Sequence, residues 1–169
     1  MSFISEFFKN KTEGGAVAPS SKFLGNKMYG GIDFSEVKCI VEFGPGTGVF
    51  TKEILKRMNP DACMIIFETN PSFYQKLKEE IKDERALIVN ESAEKIGEYL
   101  AIENQEKADF IISSLPLTVF PKELKENILK GAVDNLSENG QYIQFQYSLN
   151  AHKLLKEKFG SVKLAFSLI

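Results

Sequence analysis

Cys39-Ile40-Val41-Glu42-Phe43-Gly44-Pro45-Gly46-Thr47-Gly48-Val49-Phe50-Thr51 is the stretch on which the fold of this chain depends. An apolar run of strand type ends in an acid, a turn carries glycine at three alternate positions, and a helical pattern continues to about Met58. Glycine at such a turn permits positive φ and lets a ligand approach the backbone closely. The helix behind it presents unpaired N–H groups and a partial positive charge. Strand, glycine turn and helix in that order make a nucleotide-type site at the carboxyl edge of a sheet.

The spacing narrows the ligand. A dinucleotide fingerprint has the form G-x-G-x-x-G and holds a pyrophosphate on the helix N-terminus. Here the glycines are 44, 46 and 48, and Val49 stands where the third glycine of that fingerprint would be. Glu42, two residues before Gly44, is a poor neighbour for a pyrophosphate and a good partner for an ammonium group. S-adenosylmethionine carries an α-ammonium and no phosphate. The E-x-G-x-G-x-G segment, which by itself also fits a tight turn in any α/β protein, resembles the first motif of class I S-adenosylmethionine-dependent methyltransferases. The resemblance implies S-adenosylmethionine as cofactor, with Glu42, Gly44, Pro45, Gly46 and Gly48 in its binding site.

Working outward, strand and helix patterns alternate regularly. Strands are expected at 38–43, 62–67, 86–89, 108–113, 141–147 and 162–169, and helices at 48–58, 71–83, 93–103, 121–137 and about 150–159. Leu124, Ile128, Leu129, Ala132, Val133 and Leu136 give the 121–137 helix one apolar stripe, and Ser137-Glu138-Asn139-Gly140 is expected to form the turn after it. Strands alternating with helices imply an α/β fold: a Rossmann-like, doubly wound, mostly parallel sheet with right-handed crossovers. The final expected strand ends at the C-terminus, whereas class I methyltransferases usually close the sheet with an antiparallel hairpin, so a truncated terminal segment is expected. Residues 1–30 are expected to form an N-terminal amphipathic helix and a linker or lid helix, and residues 31–169 the methyltransferase domain.

Composition bounds the partners. The 169 residues suit one domain with a substantial core, and 43% hydrophobic and 26% charged residues are ordinary for a globular protein. A net charge of −2 gives no global attraction to nucleic acid. Cys39 and Cys63 each fall in an expected strand and are read as small core residues of a reducing compartment. One histidine and no Cys/His cluster leave no zinc site to expect. No apolar run of transmembrane length and no signal-peptide pattern is present, which predicts a cytoplasmic protein, peripheral at the inner membrane face.

The first thirteen residues bear on that last expectation. Phe3, Ile4, Phe7 and Phe8 share one arc at helical spacing with Glu6 and Lys9 opposite, a pattern of either a terminal helix packed on the domain or an interfacial helix at a membrane. Residues 1–30 carry a net charge of +2, which favours an anionic surface. Ser20 or Ser21 is placed to cap a helix over 22–29, as a linker or as a lid over the cofactor.

Three further positions carry chemistry. Glu68 ends the second strand, twenty residues after Gly48, where a carboxylate can accept both ribose hydroxyl hydrogens. In a fold of this kind the turn after the third strand borders the adenine, so the Ser92 hydroxyl or the N–H groups of Ser92 and Ala93 are candidates to meet it; Ser92 is equally a helix N-cap. The fourth strand runs into Ser113-Ser114-Leu115-Pro116-Leu117, where the methyl acceptor should sit beside the sulfonium. Ser114, Leu115, Pro116 and Leu117 are accordingly the catalytic candidates, with Ser114 also counted at the cofactor.

Two families within the class come near. Val41–Leu55 resembles the ribosomal RNA adenine dimethylases, which share E-x-G-P-G-x-G-x-x-T. Their acceptor turn is typically Asn-Leu-Pro-Tyr; here it is Ser114-Leu115-Pro116-Leu117, without the acceptor amide or the stacking ring, with Phe120 nearby as a substitute. The longer pattern is similar to the bacterial phospholipid N-methyltransferases: Gly15–Ser21, Gly44–Thr51, Ser114–Leu117 with Phe120-Pro121, and Gln144-Phe145-Gln146-Tyr147. That resemblance implies methylation of the amino head group of phosphatidylethanolamine at a membrane surface. An RNA adenine amino group, and a cofactor-binding protein without catalysis, are the alternatives. Tyr29 and Tyr147 are candidates for contacting the acceptor head group.

Overall fold

The computed structural model describes residues 25, 29–145 and 149–164. The amphipathic pattern of 1–13, most of the 22–29 helix, Tyr147 and the last residues of the final expected strand lie outside them.

Five strands form one sheet in the order β3-β2-β1-β4-β5, every neighbouring pair parallel. They are β1 (Cys39–Phe43), β2 (Cys63–Phe67), β3 (Ala86–Val89), β4 (Ala108–Ser113) and β5 (Leu136–Gln144). The helices are α1 (Val49–Arg57), α2 (Pro71–Glu80), α3 (Ile96–Ile102), α4 (Lys122–Asn135) and α5 (His152–Phe159). Parallel strands covered on both faces read as continuous apolar runs, and CIVEF, CMIIF and ADFIIS do so because their alternate residues enter two separate cores. Cys39, Val41 and Phe43 pack with Ile96, Leu100, Ile128, Leu129 and Leu155 from α3, α4 and α5. Ile40, Met64 and Ile66 pack with Ile54, Leu55 and Leu77 from α1 and α2, and with Tyr29 and Phe34. Glu42 shares the second side by strand parity, which points its carboxylate at α1.

Most element bounds match the sequence reading within a few residues. The expected 93–103 helix begins as a 3-10 turn at Ala93–Lys95 before α3, and the 150–159 helix as a 3-10 turn at Leu149–Ala151 before α5. On α4 the stripe narrows to Ile128, Leu129 and Ala132, and Val133 is exposed. The fifth strand differs most. Ala108 pairs with Leu136 and Phe110 with Gln141, so Ser137–Gly140, expected as a turn, is absorbed as a wide irregularity facing Asp109. Residues 162–164, expected to open a last strand, have no regular structure.

Two polar devices fix the frame. Asp109 Oδ2 accepts the N–H groups of Lys38 and Cys39 at 2.8 and 3.0 Å and ties the start of β1 to β4. Arg85 donates to the carbonyls of Leu55, Met58 and Asn59 at 2.7, 3.0 and 3.3 Å and pairs with Asp83 at 2.6 Å. A cation on the last carbonyls of a helix satisfies groups that otherwise lack partners, so Arg85 pins the end of α1. The lysines of α4 and α5 face solvent in i,i+4 pairs such as Lys122–Glu126 and Lys153–Glu157, both at 4.0 Å, the solvated face that their interspersed acids imply. Among the described residues no helix is long and apolar enough to cross a membrane.

Candidate functional site

The carboxyl edge of the sheet carries the glycine turn. Gly44, Gly46 and Gly48 adopt φ of 66°, 59° and 74°, a left-handed conformation at every second residue that only glycine holds cheaply. The turn is tied to β2 by Gly44 N–H donating to Phe67 O at 2.9 Å, and closed by Gly48 N–H donating to Pro45 O at 3.1 Å. Gly48 is also the N-cap of α1 and offers no side chain, so the first N–H groups of the helix remain for a ligand carboxylate.

Glu42 lies directly before this turn and is 1% exposed. Thr51, in the first turn of α1, donates its hydroxyl to Glu42 Oε2 at 2.6 Å. Glu42 Oε1 is buried and has no hydrogen-bond partner among the described residues. Burial, opposed by the Thr51 hydrogen bond and helped by the nearby Glu68 charge, pushes the Glu42 carboxyl up to about 7. A buried acceptor without a donor is costly, so this position fits a group that brings a cationic N–H. The donor chemistry of an α-amino acid meets that need: ammonium toward Glu42, carboxylate toward the start of α1. The Thr51 contact is invisible to motif reading alone, because it depends on how the helix leaves the turn.

Glu68, immediately after β2, is also 1% exposed. Its Oε2 accepts Gly46 N–H at 3.1 Å and its Oε1 accepts Asn70 N–H at 2.7 Å, so it braces the glycine turn from the neighbouring strand. Asn90 Nδ2 donates to the Glu68 carbonyl at 2.7 Å and links the turns after β2 and β3. Ionised carboxylate oxygens each accept more than one hydrogen bond, which leaves capacity for ribose hydroxyls.

Next to these groups opens a cavity of about 450 Å³. Its wall is built by Gly44, by Phe67–Pro71 after β2, by Glu91–Glu94 after β3, and by Leu115, Phe120, Leu124 and Ile128. The volume and the mainly apolar wall with a few convergent polar groups suit a nucleoside-sized ligand. Ser92 and Ala93 lie on this wall. The Ser92 hydroxyl also caps the 3-10 turn, accepting Glu94 N–H at 3.3 Å and donating to Glu94 Oε2 at 3.0 Å. Among the described residues no His/Cys/Asp/Glu group could hold a metal ion.

The four acceptor-turn candidates separate. Leu115 enters the cavity wall, and its Cδ2 lies 2.7 Å from where a Cβ on Gly44 would stand. Ser114 and Pro116 are half-buried beside it. Leu117 is wholly buried in the core under α4 and does not face the cleft, because the turn folds back through Leu117 N–H donating to Leu115 O at 2.9 Å. Among the residues after β4, the ring that lines the cleft is that of Phe120. Leu117→Ala is therefore expected to cost about 2–5 kcal/mol of stability while cofactor affinity changes little. Denaturant unfolding beside titration calorimetry checks this. Tyr29, a candidate for the head group, is likewise a core residue: 1% exposed, edge-to-face with Phe34 and Phe50, and covered by Arg57 at 5.2 Å.

With this geometry in hand, comparison with known proteins is specific. Residues 17–167 match the family model described as the methyltransferase small domain. The ornithine lipid N-methyltransferase of Singulisphaera acidiphila is 32% identical over 143 residues, covering 84% of this chain and 74% of that protein. Precorrin-6y C5,15-methyltransferase of Geobacter metallireducens has a similar fold, with TM-score 0.62 at 13% identity over 83% of this chain and 67% of the other. Aeropyrum pernix fibrillarin, solved with natively bound S-adenosyl-L-methionine, gives TM-score 0.56 at 15% identity over 74% of this chain and 51% of the other. The parallel sheet, the glycine turn with its buried acid and these matches agree that the chain belongs to the methyltransferase small domain family and is an S-adenosylmethionine-dependent methyltransferase.

Proposed function

We propose that this enzyme transfers the methyl group of S-adenosylmethionine to the amino head group of a membrane lipid, such as phosphatidylethanolamine. The observation that carries the reading is the 32% identity with an ornithine lipid N-methyltransferase across 84% of the chain. The acceptor turn supports it. It offers a small polar residue, Ser114, and no aromatic ring at Leu117, which is buried. A compact primary amine needs no stacking platform, whereas a flipped nucleobase, held by stacking, would have only Phe120 of the segment after the turn to lie on.

When bound, S-adenosylmethionine supplies a methyl group on a sulfonium, open to in-line displacement by an amine. Glu42 would hold the cofactor's ammonium through Oε1, and the Gly44-Pro45-Gly46-Thr47-Gly48 turn would let it approach the backbone. Glu68 would accept from the ribose, and Ser92 and Ala93 would border the adenine. Ser114 and Pro116 would orient the incoming amine; alignment is the main contribution a protein makes to such a displacement.

The test is a transfer assay with labelled cofactor. Vesicles containing phosphatidylethanolamine or ornithine lipid are compared with phosphatidylcholine vesicles and with ribosomal RNA. Label is expected in an amino lipid and not in RNA. Label in RNA with none in either amino lipid overturns the proposal.

A further inference from the structure

We infer that Gln144 is a positioning residue for methyl transfer: its side-chain amide, aimed by Tyr142, locks the Ser114–Leu117 turn in the shape that receives the acceptor. The inference rests on the proposed reading of that turn as the acceptor site.

Gln144 ends β5 and lies in register with Ser113, the last residue of β4. Its Nε2 donates to Leu115 O and to Phe145 O, both at 2.9 Å. Carbonyl oxygens only accept, so both amide hydrogens must face them and Oε1 must turn the other way. There the Tyr142 hydroxyl donates to Oε1 at 2.8 Å. The orientation of the amide group is thus dictated by its partners.

Ser113 Oγ accepts Leu115 N–H at 3.3 Å. Tyr142, Gln144, Leu115 and Ser113 therefore form one chain of hydrogen bonds beside the exit of β4. Behind it, the Tyr142 ring stacks on Phe159 of α5, with centroids 4.6 Å apart and planes at 17°. Desolvation holds the Tyr142 hydroxyl protonated, above the usual phenol range, which keeps it a donor. Polar networks are more rigid when every member is satisfied.

Two consequences follow for the substrate. Leu115 O also accepts Leu117 N–H at 2.9 Å, so both of its lone pairs are occupied and it is closed to an incoming amine. Acceptors that remain on the turn include Ser114 Oγ, which bonds no described residue, and the Pro116 carbonyl, which takes Val119 N–H at 3.0 Å.

Two variants test this. Gln144→Met keeps volume and removes the donors; Tyr142→Phe keeps the stack and removes the hydroxyl. With the lipid vesicles above, Gln144→Met is expected to lower kcat about 10–100-fold, as sub-ångström misplacement of reactants does, with cofactor Kd unchanged. Tyr142→Phe is expected to lower kcat by less, and the double variant to be no worse than Gln144→Met, since the hydroxyl acts only through the amide. Without any acceptor, hydrogen exchange in the 113–120 peptide should accelerate in Gln144→Met while the rest of the chain keeps its protection. Unchanged exchange in that peptide overturns the inference, as does wild-type kcat, or a kcat loss accompanied by weaker cofactor binding and faster exchange throughout. If the wild-type enzyme methylates no lipid, the lipid reading fails, and the exchange result still decides the clamp.

Discussion

Glu42→Gln is expected to weaken S-adenosylmethionine binding by about 100-fold at pH 8, in line with the few kcal/mol lost when one partner of a buried charge pair is removed. It should also raise the melting temperature of the cofactor-free protein. The two effects have one cause. Glu42 Oε1 is buried with no hydrogen-bond partner among the described residues, a cost to the empty protein that the cofactor's ammonium would relieve in the proposed binding mode.

The same carboxyl sets a pH dependence whose sign is fixed. Its folded value of about 7 lies above the ordinary 4.5. The stability it contributes is therefore fully present below about 4.5 and is lost as pH rises through about 7. The difference corresponds to something on the order of 3 kcal/mol. In the proposed binding mode the cofactor needs the ionised form, so affinity should climb between pH 6 and 8 while the empty protein becomes less stable. At pH 6, binding should release a proton, seen by calorimetry in buffers of different ionisation enthalpy. Glu42→Gln should flatten both profiles; a pH-independent Kd in the wild-type protein would contradict the assignment.

Gly44→Ala is the second large effect. The residue holds φ at 66°, and an added Cβ would stand 2.7 Å from Leu115 Cδ2. The backbone strain alone costs roughly 1–2 kcal/mol. The greater damage is to Leu115, which must leave its place in the cavity wall and strain the acceptor turn. We expect kcat/KM to fall by about 100-fold or more, the scale of misaligned reactants, with a melting temperature only several degrees lower. Adding Leu115→Ala should recover part of the melting temperature by removing the clash, without restoring turnover. Near-wild-type turnover by Gly44→Ala would show that the turn tolerates displacement and that the contact does not matter.

Much of this was legible in the sequence for physical reasons. Strands covered on both faces are uninterrupted apolar runs, so β3 and β4 are placed to the residue by ALIV and ADFIIS. Three glycines at alternate positions leave little besides a left-handed turn. The fifth strand was harder: Ser137–Gly140 has turn composition, yet pairing on either side of Asp109 carries it within the strand. Spacing put Leu117 in the acceptor turn, but only the fold-back at Leu115 decides that Leu117 enters the core and Phe120 the cleft. Alternate residues of a strand share a face, so Tyr142 and Gln144 could be paired from the sequence. Their target, 29 residues earlier, is fixed by the β4–β5 register.

The fastening of α1 has a consequence for how the cofactor arrives. At one end Thr51 holds Glu42, and at the other Arg85 grips the last carbonyls of the helix. A helix held at both ends resists sliding and unwinding, so in the proposed binding mode the glycine turn should keep its present shape when S-adenosylmethionine comes. The ordering entropy of this element is charged to folding and not to association. Loosening the distant end of α1 at Arg85 should therefore weaken the cofactor mainly through a less favourable binding entropy, with no contact to the ligand altered.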